Sequence, residues 1–61
     1  MKIEEFDTVL LRDGRVGSVM EVLGEQEAFI IDVGSSTKDW ETLYDVKSED
    51  IVEVLKEAQH K

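Results

Sequence analysis

Short runs of apolar residues, each about as long as a β-strand, alternate with small polar segments along the sequence. The runs are rich in β-branched and aromatic residues, and Gly or clusters of polar residues separate them, a pattern typical of strands joined by turns. They cover residues 8–11, 16–23, 28–33, 42–46 and 51–55. The sequence therefore predicts five strands and an all-β fold.

Alternation within the runs predicts which side chains form the core. Residues two apart lie on the same face of a strand. The predicted core residues are Val9, Leu11, Val19, Phe29, Ile31, Val33, Tyr44, Val46, Ile51 and Val54. The residues between them point the other way, which places Leu10 and Ile30 on the outer face.

Two glycines carry specific predictions about the backbone. The dipeptide Asp13-Gly14 joins the first two runs and predicts a tight hairpin turn, since Gly reaches positive φ without steric cost. Gly17 lies inside a run instead, where a glycine indicates a bulge or a close approach of another backbone.

The C-terminal part of the chain fits two secondary structures. Ser48-Glu49-Asp50 predicts one 3₁₀ turn before a last strand, with residues 56–61 as a short tail. Alternatively, apolar residues spaced by three and four positions fit an amphipathic helix over residues 48–59. We favour the strand, and the helix is the competing prediction.

The chain has 61 residues, which is enough for one domain, with its core at about residues 6–55. It has no Cys, so apolar packing or a partner must stabilise it without disulfides. Five strands in so short a chain favour a bent sheet that closes on itself, because closure hides the edges and buries one face.

The order of these segments resembles that of small SH3-like barrels. The resemblance rests on Asp7 to Leu11, a G-x-x-G-x-V hairpin formed by Gly14, Gly17 and Val19, the run 28–33, and Ser48-Glu49-Asp50-Ile51. This group includes KOW-type modules of transcription and ribosomal proteins, a small protein of photosystem I, and a bacterial domain family of unknown function, family four-nine-two-six. The resemblance implies a five-stranded barrel but no particular activity, because this barrel hosts many unrelated functions.

The charge balance narrows the choice of partner. Fifteen acidic residues against seven basic ones give a net charge of −8, whereas nucleic-acid-binding proteins usually present a basic face. We therefore expect no nucleic acid as a partner. A basic protein partner fits the charge, and so does a surface that is acidic only for solubility. With no apolar stretch long enough to span a membrane and no secretory signal, we expect no membrane partner and a cytoplasmic location.

The residues needed for catalysis or for metal binding are sparse. The only His is His60, near the end of the chain, which makes it a poor general base for a nucleophile. The carboxylates of Asp32, Asp39, Glu41 and Asp45 match no calcium-loop spacing. The loop at residues 34–38 lacks the second Gly and the helix of a phosphate loop. We predict a protein that is not an enzyme and has no metal or cofactor.

Trp40 is the most informative residue for binding. It follows a polar loop, and tryptophan is enriched at binding hot spots. One interpretation is a lid over an end of the barrel. The other is a surface anchor within a partner-binding site of Trp40, Leu10, Ile30, Asp39 and Glu41. The sequence thus predicts a non-catalytic protein-interaction module, whose partner is another protein or a second copy in a homodimer. The alternative is an acidic nucleic-acid mimic that blocks a DNA- or RNA-binding protein.

Overall fold

The computed structural model describes residues 2–34 and 39–58 and shows one sheet of five antiparallel strands. The prediction of an all-β fold with a 3₁₀ turn before the last strand is confirmed, and the element order is that of the predicted SH3-like barrel. The elements are β1 (Thr8–Leu11), β2 (Val16–Leu23), β3 (Ala28–Val33), β4 (Glu41–Val46), the 3₁₀ turn (Ser48–Asp50) and β5 (Ile51–Lys56).

The sheet is curled but has two edges. Its strand order is β4-β3-β2-β1-β5, so β4 and β5 each pair on one side only. The register shifts once between β2 and β3, once between β3 and β4, and twice between β1 and β5. An extra residue in one strand bends it and increases its twist. These irregularities therefore curve the sheet around its buried face.

The buried face agrees with the predicted core at most positions. The predicted residues that the structure buries are Val9, Leu11, Val19, Phe29, Ile31, Val33, Val46 and Ile51. Val54 is half-buried and packs against them. Ile3 also belongs to the core, although the sequence predicts no strand there. The Gln26 side chain holds Ile3 in place, since it accepts a hydrogen bond from the Ile3 backbone N–H and donates one to the Ile3 carbonyl, both at 2.7 Å.

Tyr44 is the wrong prediction within the core, because its side chain is 70% exposed. Ile31 lies opposite Leu43, and Phe29 lies opposite Val46, so two steps along β3 match three steps along β4. The extra residue in β4 breaks the alternation. Leu43 consequently packs against the core from β4, and Tyr44 turns out to solvent.

The two glycine predictions are confirmed. The Gly14 N–H donates to the Leu11 carbonyl at 2.9 Å, and its φ of +95° is one that side chains with a Cβ rarely adopt. Gly17 is buried where β2 passes β3. A Cβ at Gly17 would lie 2.6 Å from Cγ2 of Ile31 and 2.7 Å from the carbonyl oxygen of Asp32, which only glycine avoids.

The C-terminal segment is a strand, and the competing helix over residues 48–59 is wrong. Ile51–Lys56 pairs with β1, so the predicted tail starts too early at Lys56. The Ala58 N–H donates to Oδ1 of Asp7 at 2.8 Å, and Oδ2 of Asp7 accepts from the Glu4 N–H at 2.9 Å. Asp7 is only 2% exposed, so this carboxylate ties the start of the chain to the end of β5. Residues 59–61 of the predicted tail lie outside the described residues.

Candidate functional site

Trp40 lies in front of β4 with 61% of its surface exposed. An indole this exposed does not seal a barrel end, so the lid interpretation is wrong. Its neighbours Asp39 and Glu41 are exposed as well. These three members of the predicted site therefore occupy one accessible stretch of chain at the start of an edge strand.

Leu10 and Ile30 are half-buried and lie apart from each other on the outer face. Leu10 faces Val16 of β2, whereas Ile30 faces Glu21 of the same strand. Those two partners are five positions apart, which corresponds to roughly 15 Å along a strand.

A polar row separates them. Ser18 of β2 lies between Thr8 of β1 and Asp32 of β3, and Asp32 in turn faces Thr42 of β4, whose hydroxyl donates to Oδ1 of Asp32 at 2.7 Å. Leu10, Ile30 and Trp40 therefore do not form the single apolar patch that the sequence suggested.

A groove of about 580 Å³ lies between β4 on one side and the β1–β2 turn with the 3₁₀ turn on the other. Leu11, Leu43 and Val46 supply its apolar lining. The exposed Tyr44 ring also lines it. Asp50, from the 3₁₀ turn, supplies a carboxylate on the opposite side. The groove is large enough to receive side chains of a partner, and its lining combines apolar and polar groups.

Both arginines that line the groove are already engaged. Arg12 donates from Nε and Nη2 to the carbonyl oxygen of Glu49, at 3.0 and 2.6 Å. Arg15 donates from Nε to Oδ2 of Asp13 at 2.8 Å and from Nη1 to Oε1 of Glu41 at 3.4 Å. The guanidinium groups therefore fasten the hairpin turn to the 3₁₀ turn and to β4, and the groove gains fixed walls.

Two exposed ion pairs beside β4 each shift the pKa of one member. The Arg15 backbone N–H donates to Asp13, and this bond, with the Arg15 side chain, lowers the pKa of the Asp13 carboxyl. The Asp45 carboxylate, 2.8 Å from Nζ of Lys47, raises the pKa of that ammonium group by hydrogen bonding. Each shift favours the charged form, of the Asp13 carboxylate and of the Lys47 ammonium group.

The remaining candidate chemistry has little support in the geometry. Within residues 2–34 and 39–58, no three His, Cys, Asp or Glu side chains gather as a metal site. The described residues also form no helix that is long and apolar enough to cross a membrane. His60 and residues 35–38 of the candidate phosphate loop lie outside the described residues. What the described surface offers is a groove for binding.

Sequence reasoning missed the groove and Tyr44. Strict alternation placed Tyr44 inside, because the position of the extra residue in β4 leaves no mark in a run of five residues. The polar and apolar alternation continues through Asp45 and Val46, so the run contains no signal for the extra residue.

Comparisons with protein-family models, with curated proteins and with solved structures found no match to this chain. The resemblance to SH3-like families thus remains a prediction from the sequence, and any function must be argued from the surface itself.

Proposed function

We propose that this chain is a non-catalytic, cytoplasmic protein-interaction module that binds another protein along β4. Trp40 and Tyr44 are the anchors of the interface, and the groove beside β4 receives the partner's side chains. Asp39 and Glu41 lie at the rim. Leu10 and Ile30, which the sequence placed in the same site, lie outside this interface.

The observation that carries the proposal is the exposure of two large aromatic side chains on one short stretch. Trp40 is 61% exposed and Tyr44 is 70% exposed, four residues apart, and Tyr44 lines the groove. Aromatic residues are enriched at interface hot spots, because they bury a large area on binding and retain a polar group for hydrogen bonding. Exposed aromatic residues beside a groove therefore favour a binding function.

The second candidate is an acidic mimic of nucleic acid. One observation favours it: every Asp and Glu except Asp7 and Asp32 is exposed, so the negative charge is on the surface. Binding of this kind depends on charge and weakens steeply as salt rises. Binding through Trp40 and Tyr44 instead survives high salt, which separates the two functions in one titration.

Affinity capture from the source cells, followed by calorimetry with the purified partner, tests the proposal. We expect Trp40→Ala and Tyr44→Ala each to weaken binding about tenfold, as hot-spot residues do. Phe6→Ala is the matched control, since Phe6 is an aromatic residue 63% exposed outside β4 and the groove. If the variant that combines Trp40→Ala with Tyr44→Ala folds and binds its partner as tightly as the unchanged chain, the proposed interface is wrong.

A further inference from the structure

Besides its exposed aromatic side chains, β4 has one edge that pairs with no other strand of the described residues. β4 is the last strand of the sheet, and its only strand partner among the described residues is β3. In an antiparallel sheet about half of an edge strand's N–H and C=O groups point away from its neighbour. β4 therefore presents a row of hydrogen-bonding groups along its six residues, roughly 20 Å in length.

We propose that the partner adds an extended, basic segment to β4 as a sixth strand. This inference rests on the proposed function and deepens it, because it names how the partner binds and what its binding segment contains. Main-chain hydrogen bonds to an exposed sheet edge give such a complex its affinity, and pockets for alternate side chains give it specificity.

The register of β4 supports an added strand over its first half. Glu41, Thr42 and Leu43 lie opposite three successive residues of β3 without interruption. The register shift comes only after Leu43. A straight, regularly bonded stretch is the part of an edge that best templates another strand.

The groove lies where an added strand would project side chains. Residues Thr42–Val46 line one side of it, with Leu11 and Asp50 across from them. Side chains alternate in direction along a strand, so every second residue of an added segment reaches the groove. Leu43 and the Tyr44 ring offer the apolar contacts there, since Leu11 and Val46 are almost wholly buried in the core.

Charge selects a basic segment over an acidic one and over a second copy of this chain. Five carboxylates lie on β4 or on the turns that face it, against three cations, Arg12, Arg15 and Lys47. The five are Asp13, Glu41, Asp45, Glu49 and Asp50. Arg15 is paired with Asp13 and Glu41, and Lys47 is paired with Asp45, so five carboxylates less three cations leave this surface a net charge of −2. A second copy brings a net charge of −8 to this surface, whereas a lysine-rich segment complements it.

A titration of the ¹⁵N-labelled chain with a capped peptide of alternating lysine and valine, six residues long to match β4, tests the proposal at pH 7. We expect chemical-shift changes along Glu41–Val46 and slower hydrogen exchange at amides within Glu41–Leu43, the regular part of the strand. A peptide of alternating glutamate and valine should bind at least about tenfold more weakly. Two further peptides carry N-methyl groups on alternate backbone nitrogens, one at the odd positions and one at the even positions. One of the two should not bind, because methylation removes the N–H groups that donate to β4.

Matched variants locate the binding edge. Tyr44→Ala should weaken binding of the lysine–valine peptide about fivefold to tenfold. Leu55→Ala, on the other edge strand and 48% exposed, should leave it unchanged. Shift changes on β5, equal binding of both N-methylated peptides, or a β4-mediated homodimer at pH 7 would each overturn the proposal.

The same samples separate this inference from the proposed function. Suppose that Trp40→Ala abolishes binding of the natural partner, but that β4 amides gain no protection in the complex of the unchanged chain with this partner. The interface then stands and strand addition is wrong. If the natural partner binds equally to the Trp40→Ala and Tyr44→Ala variants and to the unchanged chain, the interface itself is wrong, whatever the peptide does.

Discussion

The two edge strands of the sheet differ in regularity and in what they expose. β5 changes register with β1 twice within its six residues, and it carries Glu53 and Lys56. β4 keeps a regular register with β3 from Glu41 to Leu43, and it exposes Tyr44 beside a groove. The ion pairs that Arg15 and Lys47 form with exposed carboxylates lie beside β4 as well.

The difference shows how a small sheet can keep one edge closed and the other available. Bulges and an edge lysine discourage the addition of a strand, and β5 has two bulges and Lys56. β4 has one bulge, which comes after Leu43. On β4 the corresponding residues are acids, Glu41 and Asp45, which repel another acidic chain but attract a basic one. On the proposed strand addition, this edge would disfavour copies of this protein and would accept a partner of opposite charge.

The largest effect is expected from removing the core support of β4. Phe29 is fully buried and lies opposite Val46. Phe29→Ala should cost about 3–5 kcal/mol of the free energy of unfolding. A core this small rarely supplies more than about 3–5 kcal/mol in total, so the variant should be largely unfolded at 25 °C by far-UV circular dichroism.

Phe6→Ala is the control for that substitution, because it removes the same side chain from a 63% exposed position. Its urea midpoint should stay close to that of the unchanged chain. A folded Phe29→Ala variant with a similar midpoint would show that β4 is held by something other than this ring.

A smaller and local effect is expected at β5 from Asp7→Ala. Two backbone N–H groups, those of Glu4 and Ala58, lose their acceptor, which should cost about 1–3 kcal/mol. Hydrogen exchange should accelerate at the end of β5 and stay unchanged in β4. Equal loss of protection at both edges would mean that the two edges unfold together and do not differ in their anchoring.

The next effect concerns self-association near the isoelectric point, about pH 4.4. Loss of net charge there removes the repulsion between copies, so we expect the open edge to associate. Tyr44→Lys should keep the chain monomeric at higher concentrations than Leu55→Lys does, although both add the same charge. Sedimentation at pH 4.4 measures this, and equal behaviour of the two variants would remove the distinction between the edges.

Most of the fold was predictable because its determinants are local. Alternation identified the inward residues of β1 and β3, and Asp13-Gly14 and Gly17 identified a turn and a close approach. The sequence did not reveal Ile3, whose burial depends on a distant glutamine, or Asp7, which bonds a segment 51 positions away. It placed Tyr44 inward, since strict alternation back from Val46 takes no account of the extra residue between Leu43 and Val46.

The predicted site shows the same division between local and long-range information. Trp40, Asp39 and Glu41 are neighbours in sequence, and they stay together in the structure. Leu10 and Ile30 were included only because alternation predicts that both point to the outer face of the sheet. Their positions relative to each other depend on the register of β2 with two other strands. Register is a property of the whole sheet, so the pattern of each run alone did not determine it.

The smallest effect is expected from the exposed ion pairs beside β4. Their two contributions to stability are lost at opposite ends of the pH scale. The Asp13 carboxyl has a lowered pKa in the folded chain, chiefly because the Arg15 backbone N–H donates to it. Its contribution is therefore present above about pH 4 and is lost as the pH falls through the lowered pKa. Lys47 has a raised pKa through Asp45, so its contribution is present below about pH 10 and is lost as the pH rises through the raised pKa.

Thermal unfolding of Asp13→Asn and Lys47→Gln across the pH scale measures both contributions. Each variant should have a Tm slightly below that of the unchanged chain from about pH 5 to pH 9. The Asp13→Asn difference should vanish only in acid, and the Lys47→Gln difference only in alkali. If the Tm difference of either variant changed between pH 5 and pH 9, another group would be responsible, because neither Asp13 nor Lys47 changes its ionisation in that range. Peptide binding at β4 should likewise be constant over that range. It should weaken in acid, as the carboxylates that attract the basic segment are protonated.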